Sequence, residues 1–382
     1  MVVAGVGISS LGDPRAAAEE AAVAAGRTCA RPEAALVLAT PGYGEGLREL
    51  LETVTGCLGV DVLVGATAHG VVGDGREYEG GTALSVLALG GIEARGFLVP
   101  HVADLDADEF GEAIAKRVGA TGPEDLVVVL PDTGLLRPES FLQGLAAGLG
   151  EACVVGAGAV DALSEPPLQW CGTQPGSGAA AGLVVRASSP PRLGITQGTR
   201  AVTELMEVTR SRDHWILRLD GRPALDVYRE AARGPLADDL SRAARYVMAA
   251  LPRRSEEPLA PGGYLVRAPV GFSTAERSLA LPTVLEPGSL LAFVHREPET
   301  ARRDLAEMLA PLAKRPAALG LWFDCMARGR GFFGVDGLES AYLERALGPT
   351  PVGGMFGSCE IGPVGGVTEL LTYSAVLALI DG

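Results

Sequence analysis

Positive charge is the first thing this chain is short of. Against 47 Asp and Glu stand 32 Lys and Arg, a formal net charge of −15. A field of that sign repels nucleic acid and anionic membrane surfaces, so neither is an expected partner. Histidine is scarce as well. The four present, His69, His101, His214 and His295, show no HxxxH or HExxH spacing, and no cysteine pair is spaced as a zinc knuckle. No metal site is therefore expected. The six cysteines, at 29, 57, 153, 171, 325 and 359, contain no CxxC. That scatter suits a reducing cytoplasm better than the disulfide framework of a secreted protein. No apolar run approaches the roughly 18 residues of a membrane span, and "MVVAGVGISSLG" lacks the basic stretch of a signal peptide. A cytoplasmic protein is expected. The glycine loops close neither a Walker A motif nor a dinucleotide fingerprint, since "GAGAVD" puts Asp161 where the third glycine would stand.

What is present is length enough for about two domains and a pattern that recurs three times. "RPEAALVLAT", "GLRELLETVTGCLG" and "VDVLVGATAHG" read as strand, helix, strand. So do "GPEDLVVVLPD", "RPESFLQGLAAGLG" and "EACVVGAGAVD", and again "RPAALGLWFDC", "GLESAYLERALG" and "PTPVGGMFGSCE". The outer segments are short apolar runs of buried-strand type, and the middle ones carry apolar residues at helical spacing: Leu47, Leu50, Leu51, Val54 and Leu58 in the first, Leu142, Leu145 and Leu149 in the second, Leu338, Ala341 and Tyr342 in the third. Between the second and third copies, "RASSPPRLG" reads as a joint. After it come strand-like "RLGITQGTR", "LMEVTR" and "HWILRLDG", helical "PALDVYREAA" and "LADDLSRAARYVMAAL", and strand-like "GGYLVRAPVGF" and "SLLAFVHRE". The expected fold class is α/β, with mixed sheets built from repeated strand-helix-strand units and two halves, residues 1–189 and 190–382.

A right-handed crossover joins parallel strands, so the segments following both strands emerge at one sheet edge, where open α/β sheets bind ligands. In the third copy this brings "DCMARGRG" to "SCEIG", and the spacing predicts that Cys325, Arg328, Arg330, Cys359 and Glu360 line one rim. The same logic pairs Tyr43 with His69 and Asp132 with Asp161. Two arginines flanking Gly329 suit a carboxylate or phosphate. A solvated pair, or a structural salt bridge to Glu360, explains them equally well. Cys325 or Cys359 as a nucleophile would need a base or a positive field. No histidine stands near either in sequence, and a buried inert thiol is the commoner case. His69 sits in a glycine-rich turn at the same edge and reads as a hydrogen-bonding residue.

These segments together resemble the FIST family (F-box and intracellular signal transduction). The likeness rests on "DVLVGATAHGVVGDGREYEGGTALSVLAL" and "CVVGAGAV" in the first half, and on "GITQGTR", "LDGRPALDVY", "FVHREPETARRDL", "FDCMARGRGFFG" and "CEIGPVGG" in the second. The resemblance implies a sensory module that binds small ligands, with amino acids the usual suggestion. Some relatives are described as haem-based nitric oxide sensors, and eukaryotic ones sit in ubiquitin-ligase adaptors. Arg328, Gly329, Arg330, Glu360, Gly362 and Pro363 match the family pattern. Cys359 stands where a glycine is usual, and Leu371 where relatives tend to carry histidine. Both family parts account for the length, so a sensor of this kind would act through an unidentified signalling protein or its own assembly.

The expectation is thus a stand-alone, non-catalytic sensory protein for a small ligand, an amino acid or related metabolite. Its ligand-binding residues would be His69, Cys325, Arg328, Arg330, Cys359 and Glu360, with no catalytic or metal-binding residue and no cofactor. Arg328→Ala is expected to abolish binding while leaving the fold intact. An interaction adaptor, a haem sensor and, last, a cysteine-dependent enzyme stand as alternatives.

Overall fold

A computed structural model describes residues 1–101, 106–135, 138–161, 165–254 and 259–382. All three strand-helix-strand copies are present, each with its two strands parallel: Ala34–Ala39 beside Val62–Thr67, Asp125–Pro131 beside Cys153–Ala157, and Leu319–Cys325 beside Val352–Gly357. The likeness extends beyond the triples. In every copy a strand and a helix come first (Val3–Ser9 and Pro14–Thr28; Glu93–Pro100 and Ala107–Val118; Arg192–Thr196 and Pro298–Leu312), and a hairpin and a returning strand come last.

Each hairpin leaves its own copy. Gly70–Gly73 and Arg76–Glu79, from the first, add to Val352–Gly357 of the third. Glu360–Val364 and Val367–Leu371, from the third, add to Cys153–Ala157 of the second. Leu168–Cys171 and Gly176–Ser177, from the second, add to Val62–Thr67 of the first. The result is three six-stranded mixed sheets of identical strand order, closed in a cycle by exchange. Single-chain repeats that cannot satisfy their own sheet edges are stabilised by their neighbours in this way. The first hairpin turns on Asp74 and Gly75, both at positive φ (50° and 67°), as a two-residue turn between twisted strands requires.

The apolar stripes largely behave as their spacing predicts. Leu47, Leu50, Leu51 and Val54 are buried with Trp170 against the first sheet, and Leu142, Leu145 and Leu149 against the second. The third helix departs: its inward residues are Glu339, Ser340 and Leu343, rather than Leu338, Ala341 and Tyr342. A buried guanidinium described below calls Glu339 inward.

By proximity the chain forms two compact units, Met1–Ile195 with Glu307–Gly382, and Thr196–Ala306. The second unit therefore interrupts the third copy from the end of its first strand to within its first helix, and the C-terminal segment groups with the N-terminal residues. The second unit has its own antiparallel sheet, which runs through Val247–Pro252 and Leu290–Arg296. Asp304 ties its two ends together, its Oδ2 accepting from Thr196 Oγ1 (2.6 Å), Gln197 N (2.8 Å) and Gly198 N (2.9 Å). "LADDLSRAARYVMAAL" is not one helix: short helices at Gly234–Asp238 and Leu240–Ala243 precede the strand Val247–Pro252. That run is buried on both faces of a sheet, where helical and strand patterns look alike in sequence.

Candidate functional site

The third copy shows how the sequence builds its strand ends. All seven residues of Leu319–Cys325 are buried. The chain then turns, with Arg328 N donating to the Cys325 carbonyl (2.8 Å) and Met326 N to that of Gly357 (2.8 Å), so the two loops meet as the crossover predicts. Gly329 follows at φ 63°. A β-carbon there would fall 2.5 Å from Glu79 Oε1, the atom that accepts from Arg330 N at 2.7 Å. Glycine is required because the exchanged hairpin of the first copy presses Glu79 onto this turn.

Arg328 points inward and is 1 % exposed. Its Nε lies 3.0 Å from Asp324 Oδ1, its Nη2 lies 2.5 Å from Glu339 Oε1, and its guanidinium sits 5.5 Å from the centre of the Phe333 ring. Asp324 also accepts from its neighbour's backbone, Cys325 N (2.9 Å), and from Trp322 Nε1 (3.3 Å). Burial pushes the Asp324 carboxyl well above its usual range, with the charge of Glu339 adding and that of Arg328 opposing. Beside this pair, Glu77 of the exchanged hairpin accepts from Ser340 N (2.5 Å); burial first, then Glu339, raises its pKa to about 7.

Glu360 begins a strand rather than sitting in a loop, and it is fully buried. Its Oε2 accepts from Ser374 Oγ (2.5 Å) and Ser374 N (3.2 Å). The Cys325 thiol lies beside the carboxyl and favours its charged form, as do Ser374 and the more distant Arg328, yet burial dominates and raises the pKa to about 8. Oε1 has no hydrogen-bond partner among the described residues. A buried polar atom of this kind costs about 1–3 kcal/mol and asks for an explanation. A pKa raised to about 8 favours the protonated form of Glu360 at pH 7, with Oε2 committed to Ser374 and Oε1 unpartnered among the described residues.

The placement of the predicted residues is mixed. Cys325, Arg328 and Glu360 converge, but in the interior rather than on a rim. The described clefts of this unit are lined by none of the three. Arg328 is buried and engaged by Asp324 and Glu339, which corrects one expectation: it does not stand on a rim as a group free to hold an anion. Arg330 alone stays outside, 3.6 Å from an equally exposed Asp336. Cys359 packs in the apolar cluster of the second sheet with Phe141, Leu145 and Ile361. His69 is half-buried; its backbone N donates to the Phe356 carbonyl (2.9 Å), so it borders the same strand end. Tyr43 turns instead to the Leu11 carbonyl (3.1 Å), whereas Asp132 and Asp161 do come near enough for the charge of one to raise the pKa of the other. Leu371 is the cross-strand partner of Glu360, so the position where the resemblance implies histidine adjoins the buried carboxyl.

Asp324, Glu339, Glu77 and Ser374 were not anticipated. Only the first left a signal, the i, i+4 spacing to Arg328. Burial and the Glu360 charge raise the Cys325 pKa well above the ordinary thiol range, which leaves a poor nucleophile. All six cysteines are free. Among the described residues no cluster of three or more His, Cys, Asp and Glu is arranged to hold a metal ion, and no helix is long and apolar enough to cross a membrane.

The FIST N domain family matches residues 6–222, and the FIST C domain family residues 224–363. Over 385 residues the chain is 29% identical to the uncharacterized protein Rv0628c of Mycobacterium tuberculosis (strain H37Rv), with 98% of each chain covered. Over 393 residues it is 27% identical to the uncharacterized protein Mb0898c of Mycobacterium bovis, again with 98% of each covered.

Proposed function

The chain belongs to the FIST family, and on that premise we propose that it is a non-catalytic sensory protein of signal transduction whose site lies at the strand ends of the third copy. Its ligand is a small metabolite bearing a hydrogen-bond donor, an amino acid or a close relative. The observation that carries this reading is Glu360, a buried carboxyl with one oxygen unpartnered where the loops of two copies meet. A ligand amino group meets Oε1, and His69 borders the entry. Arg330, the exposed member of the arginine pair, takes the anion-binding role first given to both. The raised thiol pKa of Cys325 supports a binding role over a nucleophilic one. Six free thiols suit a reducing cytoplasm.

Admission of a ligand requires the closed cluster to open, and that change is the signal a partner protein would read. A thermal-shift screen of amino acids and related metabolites at neutral pH tests the reading. At least one compound should raise the melting temperature at millimolar concentration, and Glu360→Gln, which keeps the shape but not the proton chemistry, should abolish that shift. Absence of any stabilising compound, or a shift that Glu360→Gln leaves unchanged, would count against the site.

A further inference from the structure

A cleft lies at the opposite edge of the sheets from Glu360, where the strand Val62–Thr67 begins. It has a volume of about 340 Å³, within the range of small-molecule pockets. Its floor is apolar: Val62, Phe97, Val118 and Val184, the last three buried. Its polar wall is two guanidinium groups, Arg95 and Arg117, and no carboxylate lines it. Arg95 Nη1 donates to the Val118 carbonyl (3.0 Å), which satisfies one of the last carbonyls of the helix Ala107–Val118 and sets a positive charge against its negative end. Arg117 has no hydrogen-bond or ion-pair partner among the described residues, on a chain of net charge −15. Two exposed arginines beside an apolar floor offer the two features that a carboxylate with a hydrocarbon body needs.

The repeat supplies a comparison inside the same molecule. Arg27 stands in the last turn of the corresponding helix of the first copy and lines a cleft of similar volume, but there Asp74 and Glu344 share the wall. A wall with arginines and no carboxylate is thus a feature of the Arg117 cleft and not of the architecture.

We propose that the cleft between Arg95, Arg117 and Phe97 binds a small apolar carboxylate lacking an amino group, such as a branched or aromatic organic acid. The lining offers two cations to the carboxylate and no acid to an ammonium, so a free amino acid is the poorer guest. This site stands independently of the Glu360 reading.

The test uses the full chain with methyl-labelled valine, titrated with 4-methylvalerate at low salt and followed by NMR. The Val62, Val118 and Val184 methyl resonances should move with a millimolar dissociation constant. Arg117→Gln, at an exposed position, should weaken binding by about tenfold, whereas Arg27→Gln should not change it. Neutral 4-methylvaleramide and zwitterionic leucine should bind several-fold more weakly. Equal binding of the amide, indifference to Arg117→Gln, or no movement at tens of millimolar would overturn the proposal.

Discussion

Arg328→Ala should destabilise the first unit by about 3–5 kcal/mol, the usual cost of removing one member of a buried ion pair. The size follows from what the substitution strands. Among the described residues, Asp324 and Glu339, both 0 % exposed, lose the positive group that pairs with them both. Against a typical domain stability of about 5–15 kcal/mol the loss is severe, and partial aggregation on expression is expected. Adding Glu339→Gln should restore part of the loss, because a neutral amide in place of an abandoned carboxylate removes most of the uncompensated charge. Urea denaturation of the single and double variants measures both effects. A single variant that unfolds within 1 kcal/mol of the parent would show that the cluster is not holding the strand end.

Stability should also fall as pH rises from the acid side through neutrality. Glu360 and Glu77 have folded-state pKa values raised to about 8 and about 7, whereas in the unfolded chain both titrate near the ordinary glutamate value. Below that ordinary value both states hold the proton and the native state keeps its full advantage. Between it and neutrality the unfolded chain has released protons that the native chain retains, so each group lowers stability by about 1.4 kcal/mol per pH unit. The decline levels off as pH passes through about 7 for Glu77 and about 8 for Glu360, when the native groups ionise in turn. Asp125 and Glu297, held low by hydrogen bonds from Arg186 and Arg200, act at and below the ordinary carboxylate pKa and do not mask this window. Glu360→Gln should remove its share of the slope and make the variant relatively more stable at pH 8 than at pH 5. A flat profile from pH 5 to 8 in the parent would contradict the buried, neutral state of both groups.

Much of the architecture could be read from residues alone, for definite reasons. Buried parallel strands such as "DLVVVLP" announce themselves as short apolar runs, and Leu50, Val54, Leu145 and Leu149 mark helices by spacing. The crossover rule then joins Cys325 to Glu360 across more than thirty positions. The hairpin exchange could not be read in the same way. Nothing in "GVVGDGREYE" says that its partner is Val352–Gly357 rather than a nearer strand, because edge pairing is a property of the assembled sheets. The same blind spot hid Glu77, Glu79 and Glu339: an acidic residue on a surface-like pattern looks solvated until a buried arginine is found against it. The second unit escaped for another reason. Its return point, Ala306, falls inside the helix Pro298–Leu312, where no break in the sequence marks a boundary.

The claim on which the rest depends is that Glu360 is shut inside a closed cluster and uncharged at neutral pH. Carbon-13 NMR of the Glu360 carboxyl, assigned by comparison with Glu360→Gln and titrated from pH 4 to 10, tests it most directly. A midpoint near 8 is expected, set by burial against the Ser374 hydrogen bonds. A midpoint near the ordinary glutamate value, about 4.3, would mean that the carboxyl is open to water or paired in full, and the site proposed around its free oxygen would not exist.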